Sequence, residues 1–208
     1  DTDRSRGLGD VYKRQEQFSS DIYGRNMWGC PTDSNGDYAW LQHMVKSMNP
    51  KTGRCAVVLP QGILFRSGKE GDIRRQLVES DKLECIITLT SGVFYSTGVS
   101  ACILFLNNNK EVGHRGRICM IDASDIYTPQ RAQNIMTEND INKVFALYKG
   151  YEDVIEKVKI VTIPQIKEKD YSLAINNYID KREQETVSPA EVLSLIHISE
   201  PTRPISIS

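Results

Sequence analysis

LECIITLTSGVFYSTGVSACILFL, residues 83–106, decides how this chain folds. Leu83–Leu89 and Ala101–Leu106 are runs of Ile, Leu, Cys and Phe without strict alternation, the pattern of strands covered on both faces. Between them lie eleven residues, Thr90 to Ser100, punctuated by Gly92 and Gly98. A crossover that returns a strand parallel to its predecessor needs about a dozen residues or more, usually with a helix. This connection is slightly too short and too broken by glycine for that. The second strand is therefore expected to run antiparallel to the first.

Upstream the spacing differs. Arg54–Leu59 reads as another buried strand, and residues 60–82 leave room for a helix. Ser67-Gly68-Lys69-Glu70 has the form of a capping box, Ile73, Leu77 and Val78 make an apolar stripe, and Glu70 stands four residues before Arg74. That unit is expected to be a parallel β-helix-β crossover. Before it, Asp37 to about Met48 places Tyr38, Leu41, Met44, Val45 and Met48 on one helical face, and Asn49-Pro50-Lys51-Thr52-Gly53 stops the helix. The order helix, strand, helix, strand, antiparallel strand predicts an α/β fold. Its sheet is partial and Rossmann-like and ends in an antiparallel hairpin strand, a topology that resembles S-adenosylmethionine-dependent methyltransferases. Mixed sheets are common, so the order alone does not single that class out.

The two ends read differently from the middle. Asp10-Val11-Tyr12-Lys13-Arg14-Gln15 and Leu193-Ser194-Leu195-Ile196-His197-Ile198 can be encoded by one DNA element read in opposite directions. That element resembles the transposon-end adapter of sequencing libraries. Residues 1–15 and 193–208 are therefore expected to be adapter-like and foreign to the fold, and the chain to be a fragment of a longer protein. The first end carries four cations against three acids and the second one of each, so the remainder has a formal charge of −2. A strong autonomous nucleic-acid binder usually carries a basic face instead.

Cys30, Cys55, Cys85, Cys102 and Cys119 show no CxxC spacing, and four of them lie in apolar strand-like runs. Those four are read as core thiols in a reducing, cytoplasmic compartment, not as metal ligands or disulfides. No run approaches about 18 uninterrupted apolar residues, so no membrane span is expected. His43 and His114 have no carboxylate or cysteine at metal or nucleophile spacing and are read as structural or solvated.

Beyond Arg117–Ile121, Thr137-Glu138-Asn139-Asp140 opens a helix whose Ile141, Val144, Phe145 and Tyr148 share a face, and Val158–Ile163 reads as a short strand. The division expected is a fold unit over residues 16–126 and a small, mainly helical extension over 127–192.

Several ordered blocks carry a resemblance. They are Ser34-Asn35-Gly36-Asp37-Tyr38-Ala39-Trp40-Leu41-Gln42-His43, Gly53-Arg54 to Leu64-Phe65-Arg66, Glu70-Gly71-Asp72-Ile73-Arg74, and Val93-Phe94-Tyr95-Ser96-Thr97-Gly98-Val99-Ser100-Ala101-Cys102-Ile103-Leu104. Gly116-Arg117 to Ile121-Asp122-Ala123-Ser124 and, more loosely, Lys169-Asp170-Tyr171-Ser172-Leu173 follow. Together they resemble the modification (M) subunit of type I restriction-modification systems, over nearly all of residues 16–185. The resemblance implies an adenine-N6 DNA methyltransferase that uses S-adenosylmethionine and double-stranded DNA and works with a specificity subunit and a restriction subunit. It also implies that Phe94 is an aromatic wall for an adenine rotated out of the duplex. Tyr95 and Gln61 are further substrate-side candidates, and Asp37 and Tyr38 help wall the cofactor pocket. Plainer readings stand beside these: Phe94 and Tyr95 cover the end of the core, Asp37 caps its helix, Tyr38 packs on the sheet, and Gln61 is an ordinary loop residue.

Related enzymes also carry a Gly-rich cofactor loop and an Asn-Pro-Pro-aromatic loop, which the resemblance places before this segment; neither occurs here, and Asn49-Pro50-Lys51 is a helix-ending turn. The chain alone is therefore expected not to methylate DNA. Two other functions remain open at this point. One is a non-catalytic Rossmann-like interaction module; the other is a methyltransferase of the same fold acting on a different amino group, such as cytosine N4 or a protein glutamine.

Overall fold

The computed structural model describes residues 21–32, 35–94, 97–131 and 133–179. Strands β1 (Arg54–Pro60), β2 (Leu83–Leu89), β3 (Ala101–Asn107) and β4 (Arg117–Ala123) come first. A short hairpin of β5 (Thr128–Pro129) and β6 (Asn134–Ile135) follows, and then β7 (Val158–Thr162). The helices are α1 (Asp37–Ser47), α2 (Lys69–Glu79), α3 (Glu138–Gly150) and α4 (Ile163–Glu168).

Five strands form one sheet in the order β1-β3-β2-β4-β7. The connection from Thr90 to Ser100 makes the expected antiparallel turn, and β3 runs antiparallel to β1 as well as to β2. The crossover from β1 through α2 therefore returns to a strand of the same direction, but one place removed, with β3 between them. β2 pairs in parallel with β4, and β7 closes the far side antiparallel to β4.

The sheet is covered on both faces. Tyr38, Leu41 and Val45 of α1, Ile73 and Leu77 of α2, and Ile166, Tyr171 and Leu173 near the end pack on one face against Leu59, Ile86, Leu104 and Met120. On the other face Val144 of α3 meets Cys85, Ile87, Cys119 and Ile121. All seven residues of β2 are buried, as two covered faces require.

β1 departs from expectation. It lies at the rim of the sheet and alternates, with Val57 and Leu59 buried but Val58 50% exposed. Apolar composition alone gave no sign of that, because which strand occupies the rim depends on the insertion of β3. Cys55 is accordingly only partly buried, whereas Cys85, Cys102 and Cys119 are in the core and all five cysteines are free.

Two helix starts also differ from their sequence pattern. Ser67 forms no capping box; Gly68, at φ +70°, precedes α2 without any side-chain cap. Gly36, not Asp37, precedes α1, and Asp37 makes no capping bond. Nor is the Glu70 to Arg74 pair used. Glu70 faces Arg66 at 3.5 Å, while Arg74, only 3% exposed, donates to the carbonyls of Arg66 (2.6 Å), Tyr171 (2.8 Å) and Ile63 (3.4 Å). Its position on the buried side of α2 brings these carbonyls within reach.

The segment after residue 126 contributes the strands β5, β6 and β7 as well as helices. β7 pairs with β4, so the sheet spans the division expected at that point. Thr137 and Asp140 cap α3 reciprocally. Val144 is buried under that helix, but Ile141 and Phe145 stay exposed at 54% and 53%, so the expected common face is split. Residues 1–15 and 180–208, including the adapter-like ends, lie outside the described residues.

Two stability measurements check this account. Arg74→Met removes the donor from the carbonyls of Arg66 and Tyr171, while that of Ile63 keeps the Tyr38 hydroxyl, and should lower unfolding stability on the order of 3 kcal/mol in urea. Arg75→Met, on the exposed side of the same helix, should move the midpoint little. The Asp140 carboxyl is held down at about 2, chiefly by the Thr137 hydroxyl and then its backbone N–H. A depressed carboxyl contributes stability above its unfolded pKa and loses it as pH falls through the folded value. The urea midpoint should therefore drop between pH 4 and pH 2 (about the span between the unfolded and folded values), and Asp140→Asn should flatten that part of the drop.

Candidate functional site

β1, β2 and β4 share one direction, so their carboxyl ends open on a single edge, the edge where open α/β sheets receive ligands. Three loops gather there, and the sequence-expected residues fall on two of them and on the start of α1.

After β1 the chain makes a 3₁₀ turn, Gln61–Leu64. Gln61 is partly buried, and its backbone N–H donates to the Ser100 carbonyl at 2.9 Å. The Ile63 carbonyl accepts from the Tyr38 hydroxyl at 2.8 Å as well as from Arg74. The Leu64 carbonyl accepts from the Leu173 N–H at 2.8 Å. A tight turn that would leave buried carbonyls orphaned is thus held from three directions.

Asp37 and Tyr38 stand beside this turn. Asp37 pairs with Arg66 at 3.1 Å, and the Arg66 guanidinium lies across Gly62, where a Cβ would sit 2.8 Å from its nitrogens. Tyr38 is 1% exposed; burial pushes its hydroxyl well above the usual range, against a smaller downward pull from Arg74. Its ring therefore packs in the core, the plainer of the two sequence readings. The nearby Cys102 thiol is pushed up to about 12, by burial first and then by the Asp37 carboxylate. It stays protonated at neutral pH and is unsuited to nucleophilic work.

Phe94 lies on the connection after β2, 41% exposed. Gly92, at φ +72°, lets the backbone turn ahead of it. Tyr95 lies outside the described residues. β1 and β2 are two strand spacings apart, about 10 Å, with β3 between them. The bond from Gln61 to Ser100 links their loops.

Residues the sequence reading did not single out hold this edge in place. Thr88, near the end of β2, donates to Asp122 in β4 at 3.1 Å, and Asp122 also accepts the Ser124 N–H at 2.9 Å. Asn134 donates its side-chain amide to the Ser91 carbonyl (2.9 Å) and its backbone N–H to the Gly92 carbonyl (3.0 Å). An acid at the end of an apolar strand was a usable signal for Asp122; Asn134 sits in a polar loop and had none.

At the opposite edge His114 is structural: it stacks on Tyr151 with ring centroids 3.4 Å apart and lies 3.5 Å from Glu84. These residues line a cavity of about 800 Å³ with Arg54, Asn107 and Tyr148. His43 is partly buried on α1. Among the described residues no group of His, Cys, Asp and Glu could hold a metal ion, and no helix is long and apolar enough to cross a membrane.

A sequence model of the family described as N-6 DNA Methylase matches residues 9–187. The chain belongs to the N-6 DNA methylase family. Over 176 residues, 83% of its length, it is 35% identical to the type I restriction enzyme MjaVIII methylase subunit of Methanocaldococcus jannaschii. It is 34% identical to the HindI methylase subunit of Haemophilus influenzae over 76% of its length. A solved type I restriction-modification methyltransferase subunit from Streptococcus thermophilus superposes with a TM-score of 0.72 at 31% identity, over 79% of this chain and 34% of that one. The chain spans 29% and 37% of the two curated relatives, about a third of their length. The α/β methyltransferase fold expected from residues 83–106 thus holds, and a methylase of this family requires a methyl donor.

Gly62→Ala tests the cradle at this N-6 DNA methylase edge. Because only a flexible guanidinium opposes the new Cβ, the variant should lose less than about 1 kcal/mol of stability. Arg66 should nevertheless be displaced from Asp37, read as a shift of its Nε–H resonance in a nitrogen-proton correlation spectrum. An unmoved resonance would contradict the cradle.

Proposed function

We propose that this segment is the carboxyl-terminal half of the catalytic domain of a type I modification methyltransferase, which transfers methyl from S-adenosylmethionine to N6 of adenine in double-stranded DNA. The observation that carries the reading is Phe94: a large apolar ring left 41% exposed on the ligand edge, on a loop pinned at Ser91, Gly92 and Ser100. An adenine inside a duplex cannot present its amino group, so the enzyme must rotate it out and hold it. A fixed, exposed ring offers the stacking face for that base.

S-adenosylmethionine supplies the activated methyl on its sulfonium sulfur. Asp37 suits its pocket: Arg66 takes one carboxylate oxygen, and the other is an acceptor suited to a hydroxyl or amino group. Tyr38 acts from beneath, seating the start of α1 through Ile63. Gln61 offers an amide beside the extruded base. The reaction also calls for a Gly-rich loop and an Asn-Pro-Pro-aromatic loop, motifs that do not occur in this sequence. The exposed Ile141 and Phe145 on α3 offer an apolar stripe to the specificity subunit, and the assembled system includes a restriction subunit and works in the cytoplasm.

In the intact enzyme, Phe94→Ala should weaken binding of a duplex with an extrudable adenine by roughly 5- to 150-fold, the equivalent of about 1–3 kcal/mol of stacking. Cofactor affinity should stay nearly unchanged. Unaltered methylation, or lost cofactor affinity, would remove Phe94 from this role. Methyl found on cytosine N4 or on protein would replace the adenine reading.

A further inference from the structure

We propose that the β5/β6 hairpin is a DNA-contacting finger that grips the sugar–phosphate backbone beside the base held at Phe94, with Asn134 fixing the finger to the Phe94 loop. The inference rests on the reading of Phe94 as the substrate wall and adds a second contact to it. β4 ends on the same edge as β2, and the chain leaves it directly into this hairpin. The two bonds from Asn134, to the carbonyls of Ser91 and Gly92, fasten the base of the hairpin to the turn just before Phe94. The finger and the aromatic loop therefore hold one spacing.

The chemistry of the finger is suited to phosphate. From Ile126 to Thr137 the chain carries one cation, Arg131, no acid, and three carboxamides, Gln130, Gln133 and Asn134. Gln130 and Arg131 are exposed. Guanidinium and amide groups are the usual partners of phosphate and sugar oxygens, and they set register rather than read sequence. Of the neighbouring carboxylates, Glu138 is exposed at the first position of α3, beyond the hairpin, and two others are engaged within the fold. Asp125 pairs with Lys157, and Asp140 is turned inward on Thr137, Thr128 and Lys143. A cation between β5 and β6 thus stands on a segment whose net charge is negative, on the same edge as the exposed ring of Phe94.

The test uses the intact enzyme with its partner subunits. Arg131→Ala should weaken duplex binding several-fold and reduce the slope of log affinity against log salt by about 1, the signature of one lost phosphate contact. Cofactor affinity and melting temperature should be unchanged, and Arg115→Ala, an exposed cation at the opposite edge, should leave the slope as it was. Asn134→Ala should keep the slope but reduce the fluorescence of 2-aminopurine placed at the target base. An unaltered slope in Arg131→Ala would overturn the proposal and leave the hairpin as a buttress only. An altered slope with no methyl transfer to adenine by the parent enzyme would uphold the finger and instead overturn the reading of Phe94.

Discussion

The guanidinium of Arg74 is the interaction on which the ligand edge depends. It is buried, it reaches carbonyls rather than a carboxylate, and those carbonyls come from two distant parts of the chain: Ile63 and Arg66 in the turn after β1, and Tyr171 near the end of the described residues. A 3₁₀ turn satisfies few of its own carbonyls, and here they point into a water-poor interior. Five N–H donors spread over a rigid fork can serve several acceptors set apart from one another, whereas the three of a lysine radiate from a single atom. The same group that shapes the turn bearing Gln61 therefore also anchors the Tyr171–Leu173 segment, and neither can shift without disturbing the other.

The insertion of β3 between β1 and β2 has a related effect. A loop that connects β2 to an adjacent antiparallel strand must finish next to whatever lies on that strand's other side, which is the end of β1. Ser100 thus comes to accept the Gln61 N–H, and a residue after the first strand of the crossover is tied to the loop carrying Phe94. A simple parallel order would have separated those loops. The hairpin strand is in this sense part of the site's geometry, since it brings the aromatic loop and the β1 turn to a common framework, with Asn134 holding the loop from the opposite flank.

What was legible in the sequence followed local rules. The apolar runs at 83–89 and 101–106, the length of the link between them, and the stripes of α1 and α2 all express periodicity and reach, which the chain carries residue by residue. The failures share a cause. Glu70 and Arg74 satisfy the rule for helix neighbours, yet each found a better partner outside the helix, and Ser67 lost its capping role to a glycine that turns the chain. The exposure of β1 and the partners of Asp122 and Asn134 depend on which strands become neighbours. The edge logic put Phe94 and Gln61 on loops at the carboxyl ends of β2 and β1, where they stand, and the burial of Tyr38 was already implied by its place on the apolar stripe of α1. Its place at a cofactor wall came only from the family resemblance.

Charge bears on the aromatic wall proposed for Phe94. Two cations near the β1 end of this edge are already engaged: Arg66 by Asp37 and Glu70, Arg74 by carbonyls. Neither is left to attract a polyanion, in keeping with the segment's negative net charge. Stacking is sequence-tolerant and works by contact between flat faces, whereas phosphate binding by released counterions weakens steeply with salt. A surface that holds the reacting base by a ring, and leaves most phosphate contacts to groups further out, can keep the base fixed over a range of ionic strength while its grip on the duplex varies. On the proposed reading, the paired charges of Arg66 and Asp37 and the exposed ring of Phe94 serve one arrangement.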